Sequence, residues 1–406
     1  MYIQFFRRLL FAPLLLLTFP GARGVERIIN APAGAAEDQV RYIEQHAVDE
    51  NRAALDFEKQ RDFASAAAVL ERTRGLWPVD SNLLPALRSG VLANLADAYQ
   101  FGGRWLEAAG ALREAIAVSE RAWGASDART TRMEVRLGEA EVVLGQFASA
   151  DRRLHDALDQ QRRTAGESKA ELAQTLATVA VLDVNIGRVA EAEQFAEEGL
   201  ALAAEAEPGT AEYGSVMGVL AGVFVIERQN ARAFPLLTRA IDLLESHTPD
   251  SVRVAPLLVQ RGLIEADDHK YTLAERDMQR AIVILDGSNG PNINGDWARL
   301  HLARLYLAQG KVEEADTIVP PTIDRQRTFL GGAGRRLALC IRELARLRAM
   351  QKRYDEAAAL YREILGMVGA PSLDKRPAAA GRHASEKDVR ALEQRAAVVF
   401  DIPRGD

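Results

Sequence analysis

Cysteine is all but missing from this chain of 406 residues: Cys340 is the only one, so no intramolecular disulfide can form. Its setting, LALCIREL, is an apolar helical pattern, which fits a small buried core residue better than a reactive thiol. One sulfur also leaves little for a metal site. The six histidines (His46, His155, His247, His269, His301 and His383) fall one to a segment, and no two have metal-ligand spacing. Aromatic residues make up only 6% of the chain, and glycine (30) and proline (15) are too few for a disordered, low-complexity sequence. Positive charge never gathers into a stripe. The formal net charge of -6 is spread evenly, which argues against a nucleic-acid binder held by phosphate contacts. There is no P-loop, dinucleotide fingerprint, HExxH or GxSxG. No motif-borne catalysis, cofactor or metal is therefore expected, and the chain reads as non-enzymatic.

The apolar run near the start, Leu9 to Phe19 (LLFAPLLLLTF), is about half the ~20 residues that a membrane span requires. Arg7 and Arg8 precede it, and Ala22 and Gly24 follow as small residues placed for cleavage. Residues 1–24 thus read as a secretory signal peptide, with a secreted or periplasmic mature protein and no stable membrane span after cleavage. An uncleaved segment that tethers the protein to a membrane is the alternative. Loss of Arg7, Arg8 and Arg23, with no acid in that stretch, takes the net charge from -6 to -9.

What the chain does have is alanine in register. Ala66, Ala108, Ala150, Ala192, Ala233, Ala274, Ala315 and Ala357 are spaced by 42, 42, 42, 41, 41, 41 and 42 residues. A second ladder runs twelve residues upstream: Ala54, Ala96, Gly138, Ala180, Ala221, Gly262, Ala303 and Ala345. Self-similarity at a fixed period marks a repeat architecture. In the clearest unit, residues 92–124, Leu95, Ala96 and Tyr99 lie on one helical face and Gly102–Gly103 ends that helix. Trp105, Ala108, Leu112, Ala115 and Ile116 then form the stripe of a second helix. Two helices joined by a short turn pack closely only where side chains are small, and Ala96 and Ala108 stand at that contact.

LANLADAYQFGGRWLEAAGALREAI and LARLYLAQGKVEEA resemble tetratricopeptide repeats, and the unit of about 42 residues is similar to the long-helix subtype of kinesin light chains. Arg61, Arg228, His269 and Lys352 stand where that family has its turn glycine, and Arg261 where it has leucine. The resemblance implies an all-α, right-handed α-α superhelix (solenoid) of about eight helix-turn-helix repeats over residues 37–368. A flexible lead-in (25–36) precedes it; a flexible linker (369–384) and a C-terminal capping helix with tail (385–406) follow. Pro320 and Pro321 fall inside the second helix of the seventh unit and are expected to break it, with a new helix starting near Pro321. DGSNGPNINGD, residues 286–296, reads as a plain connecting loop.

The resemblance also implies that the first helix of each unit lines a concave groove. By helical spacing that face carries Asn94, Asp97, Arg136 and Glu139 early, Val181 and Leu263 in an apolar middle, and Trp297, Arg304, Arg342 and Arg346 at the end. Arginines on such a face could grip carboxylates by paired hydrogen bonds, or could simply be solvated. The expected function is a protein-protein interaction scaffold whose partner is a peptide or protein of unknown identity. The alternative is a structural subunit of an envelope or membrane-associated assembly that uses the same surface to oligomerise; the oligomeric state is open.

Overall fold

The computed structural model describes residues 35–78, 82–164, 168–206, 208–287, 290, 292–330, 335–367 and 383–401. The expected signal peptide, the lead-in up to residue 34, residues 369–382 of the expected linker and the tail beyond 401 lie outside the described residues. Among these residues the fold is all-α, and sixteen of its seventeen helices form eight consecutive pairs. The first pairs are α1 (Ala35–Lys59) with α2 (Phe63–Arg74), α3 (Pro85–Phe101) with α4 (Trp105–Trp123), and α5 (Ala128–Val143) with α6 (Phe147–Arg163). They continue with α7 (Lys169–Ile186) and α8 (Val189–Ala206), α9 (Ala211–Ile226) and α10 (Asn230–His247), and α11 (Val254–Asp267) and α12 (Tyr271–Asp286). The last are α13 (Ile293–Ala308) with α14 (Val312–Leu330) and α15 (Arg335–Met350) with α16 (Tyr354–Met367). A single helix, α17 (Glu386–Asp401), closes the described chain.

One backbone device makes every pair. The turn residue is left-handed in all eight, at φ 78, 75, 90 and 75° in Gly103, Gly145, Gly187 and Gly310. Arg61, Arg228, His269 and Lys352 take the same conformation at φ 59 to 61°. The amide that follows each turn residue bonds the carbonyl five residues back, from Asp62 to Phe57 through Arg353 to Arg348, at 2.7 to 2.9 Å. That bond satisfies carbonyls the helix end would otherwise leave open. Replacing glycine therefore changes the strain at the turn and leaves its path intact.

Both ladders are buried. All eight alanines of the downstream ladder have 0% exposure, as do the six alanines of the upstream one. A side chain built on Gly138 would meet Leu154 Cδ2 at 2.5 Å, and one on Gly262 would meet the Ala274 carbonyl at 3.2 Å. Helices approach closely there because nothing projects between them.

The described chain divides into two compact units. The first runs from 35 to 257 and takes in 284–294; the second comprises 258–283 and 295–401. Within the first, pairs one to five pack on their neighbours in order. In the second, Tyr361, Ile364, Ile341 and Cys340 share a core with Val389 and Ala396 of α17. Ser385 and Asp388 exchange capping bonds at the start of α17: Asp388 Oδ2 accepts from the Ser385 amide at 2.9 Å, and Ser385 Oγ accepts from the Asp388 amide at 3.3 Å.

Two expectations are corrected. Pro320 and Pro321 do not break α14, which runs unbroken from Val312 to Leu330. Val319 and Ile323 are buried on either side of the prolines in the core of the second unit, and that packing holds the helical path where two amide donors are missing. The expected connecting loop is more than a connector at its described ends: Gly287 lies against the first turn, and Ile293 and Asn294 lie against the second, where Asn294 Nδ2 donates to the Gln100 carbonyl at 2.7 Å and its Oδ1 accepts from the Trp105 indole at 2.9 Å. No helix among the described residues is long and apolar enough to cross a membrane.

Candidate protein-interaction surface

Charged side chains on the first helices meet across neighbouring pairs. In the first unit Arg136 (α5) is buried, donates to the Ala93 carbonyl at 3.1 Å, and pairs with Asp97 of α3. Beside them Asn94 donates through Nδ2 to Asn51 Oδ1 at 2.8 Å. Arg132 pairs with Glu171 of α7, one pair further on, and Arg253 lies 3.3 Å from Glu212. Glu139 and Val181 are buried.

Glu58, on the last turn of α1, completes the group. Its Oε1 is enclosed and accepts no hydrogen bond from the described residues. Burial, with the nearby Asp97 carboxylate adding to it, pushes the Glu58 carboxyl up to about 8, against the pull of Arg136. Burial also raises Asp97, while Arg136 draws it back down. Arg136 acts on both carboxyls, and Arg253 also draws Asp97 down.

The second unit holds an ionic cluster of its own. Glu343 is fully buried, with three guanidiniums around it: Arg342 at 3.5 Å, Arg346 at 3.8 Å and Arg304 at 3.9 Å. Arg346 also lies 3.5 Å from Glu393 of α17. The structure thus gathers three of the expected surface arginines on one carboxylate. Trp297 is buried, and Leu263 is half-buried against the core of this unit. The Tyr361 hydroxyl is buried close by, and burial pushes its titration upward.

Glu58, Asn51, Glu343 and Glu393 are the members that reading single helix faces misses. A usable signal does exist. Asp97 and Arg136, Arg132 and Glu171, and Arg304 and Glu343 are each 39 residues apart, as are Glu58 and Asp97. That is the repeat less one helical turn, the offset at which neighbouring first helices touch.

A third cluster lies at the junction of pairs three and four. Asp151, His155 and Asp183 bring ligand-type atoms within 4.8 Å of one another, a grouping no sequence spacing announced. Arg188 already holds both carboxylates, with Nη1 2.8 Å from Asp151 Oδ1 and 3.3 Å from Asp183 Oδ1. A metal ion there would have to displace that guanidinium.

No family model matches this sequence, and no curated protein matches it. Among solved structures, the chain is similar to a Rap protein complexed with Competence and Sporulation Factor, at 12% identity and a TM-score of 0.51, covering 87% of this chain and 99% of that one. It is also similar to BtubC (BKLC) from P. vanneervenii, at 18% identity and a TM-score of 0.39, covering 74% of this chain and 94% of that one. A putative kinesin light chain from Podosopora anserina, with nearly identical TPR-like repeats, matches at 18% identity and a TM-score of 0.37, covering 50% of this chain and 96% of that one. The likeness to the Rap protein is one of fold.

Proposed function

We propose that the chain is a non-enzymatic protein-protein interaction scaffold that takes a peptide or protein partner against the first helices of its pairs. The observation that carries this is the pair of buried ionic clusters on those helices, Glu58–Asp97–Arg136 and Arg304–Arg342–Arg346 around Glu343. Burying charge lowers stability unless it is well compensated, and the alanine and glycine contacts hold the pairs without it. Charges placed there at such a disadvantage fit recognition, with carboxyl-bearing groups of a partner meeting the arginines and basic groups meeting Glu58 and Asp97. The Rap protein, of matching fold over nearly its whole length, was solved with a bound factor, which supports the same use here. Residues 1–24 are proposed to direct export and to be removed, which N-terminal sequencing of the mature protein would check.

The test is capture from an envelope fraction by immobilised mature protein, with Arg304→Glu/Arg346→Glu beside the wild type. The double variant should lose or weaken specific partners; because Glu343 then loses two of its three guanidiniums the melting temperature should fall as well, so capture is compared at a temperature where both proteins keep full helix content. The same partners at the same yield from both would remove the arginine cluster from the binding surface.

A further inference from the structure

Asp151 and His155 stand one helical turn apart on α6, and side chains four positions apart share a helix face. Asp183 of α7 meets them there, so that one ligand-type atom of each residue lies within 4.8 Å of the others. Helical proteins build metal sites in this way, from side chains on facing helices. The imidazole is held in place. Its Nδ1 donates to the Asp151 carbonyl at 2.9 Å, and the Phe195 ring of α8 stands edge-on to it at 6.2 Å between centroids.

Asp183 carries a separate sign of a ligand. Its side chain is 1% exposed, yet its Oδ2 is enclosed and takes no hydrogen bond from the described residues. A buried carboxylate oxygen without a donor costs free energy that a bound cation would recover. The carboxylate is turned toward the cluster, because its Oδ1 shares the Arg188 Nη1 donor with Asp151 Oδ1, at 3.3 and 2.8 Å. Arg188 Nη2 also reaches Asp151 Oδ2 at 3.3 Å. One guanidinium thus serves two carboxylates and leaves one of their buried oxygens unserved. Arg188 sits in the turn between α7 and α8 with its side chain 45% exposed, so it can swing into water without disturbing either helix.

We propose that Asp151, His155 and Asp183 bind a divalent transition-metal ion of the zinc class, and that Arg188 closes the site until the ion displaces it. An imidazole beside two carboxylates suits zinc or cobalt, whereas magnesium and calcium take oxygen ligands. Three protein ligands leave a fourth position for water. Asp151 and His155 are half-buried, which gives the ion a path from solvent. The bound ion ties α6 to α7 and so joins the third pair to the fourth. This site is independent of whatever partner the first helices take.

The test uses the chelator-treated full chain, titrated calorimetrically with zinc chloride and, in parallel, with cobalt chloride followed by visible absorption. The wild type should bind one ion per chain and melt at a higher temperature with zinc, and magnesium chloride should do neither. His155→Ala and Asp183→Asn should each weaken zinc binding by about tenfold or more. His155 is half-buried, so its variant keeps the test open even if Asp183→Asn folds poorly. Arg188→Ala removes the competing cation and should bind zinc more tightly than the wild type. Zinc binding unchanged in both ligand variants would mark an adventitious ion only. No binding by the wild type, or weaker binding by Arg188→Ala, would equally overturn the proposal.

Discussion

The eight turn residues separate backbone strain from everything else a residue does. All eight are left-handed, four are glycine and four are not, and their hydrogen bonds match. A non-glycine residue pays roughly 1 kcal/mol or more for that conformation, because its Cβ crowds the carbonyl. Lys352 is exposed, so Lys352→Gly should raise stability by about 0.5–1 kcal/mol. Gly145 and Gly310 have nothing within 4 Å of a built side chain, so Gly145→Ala or Gly310→Ala should lower stability by about 1 kcal/mol through strain alone. Urea midpoints of the three variants check both signs. A destabilised Lys352→Gly would mean the lysine does more at the turn than occupy it. These positions could be read from sequence because they keep the period of the alanine ladder whatever residue fills them.

At the scale of the helix, periodicity reveals whatever repeats and hides whatever occurs once. The pairs were readable because Ala66 and its seven equivalents recur at a fixed interval, and packing permits only small residues there. The contact of Asn294 with Trp105 was not, because it joins positions 189 apart and recurs at no other repeat among the described residues. Asp183 likewise gives no sign in sequence that it faces Asp151 and His155. The arginines of the first helices were readable by helical spacing, but their partners lay one turn off the repeat. Helix α14 shows propensity overruled by packing. Pro320 and Pro321 supply no amide donors for the carbonyls of Asp316 and Thr317, yet the helix continues because Val319 and Ile323 are held in the core. Restoring both donors with Pro320→Ala/Pro321→Ala should therefore add about 1–3 kcal/mol and raise the melting temperature without changing helix content. Calorimetry decides it, and a lower melting temperature would show that this helix needs the prolines' shape.

Over the whole molecule, buried carboxyls set the response to pH. Burial raises Glu58 to about 8 and Asp183 to about 6, and it also raises Asp97, Glu227, Glu265 and Asp296. A carboxyl raised in the folded state stays protonated there after the unfolded chain has ionised. Its contribution is complete below the unfolded value near 4.5 or 3.8, and is lost as pH rises through the folded value. For Asp183 the loss falls between about pH 4 and 6, and for Glu58 between about pH 4.5 and 8. Asp127 and Asp316 work the other way: bonds from Arg129 and Arg348 hold them low, so their contribution disappears only in acid below the ordinary carboxyl range. The formal net charge of -6 adds self-repulsion in the direction of rising pH. The opposing slopes place maximum stability on the mildly acidic side of neutrality. The urea midpoint should be higher at pH 5.5 than at pH 8.5, by a free energy on the order of a few kcal/mol. Glu58→Gln cannot ionise and should lose much of that difference, mainly by gaining stability at pH 8.5. If its midpoints fall as steeply with pH as those of the wild type, Glu58 ionises freely in the folded protein despite its burial.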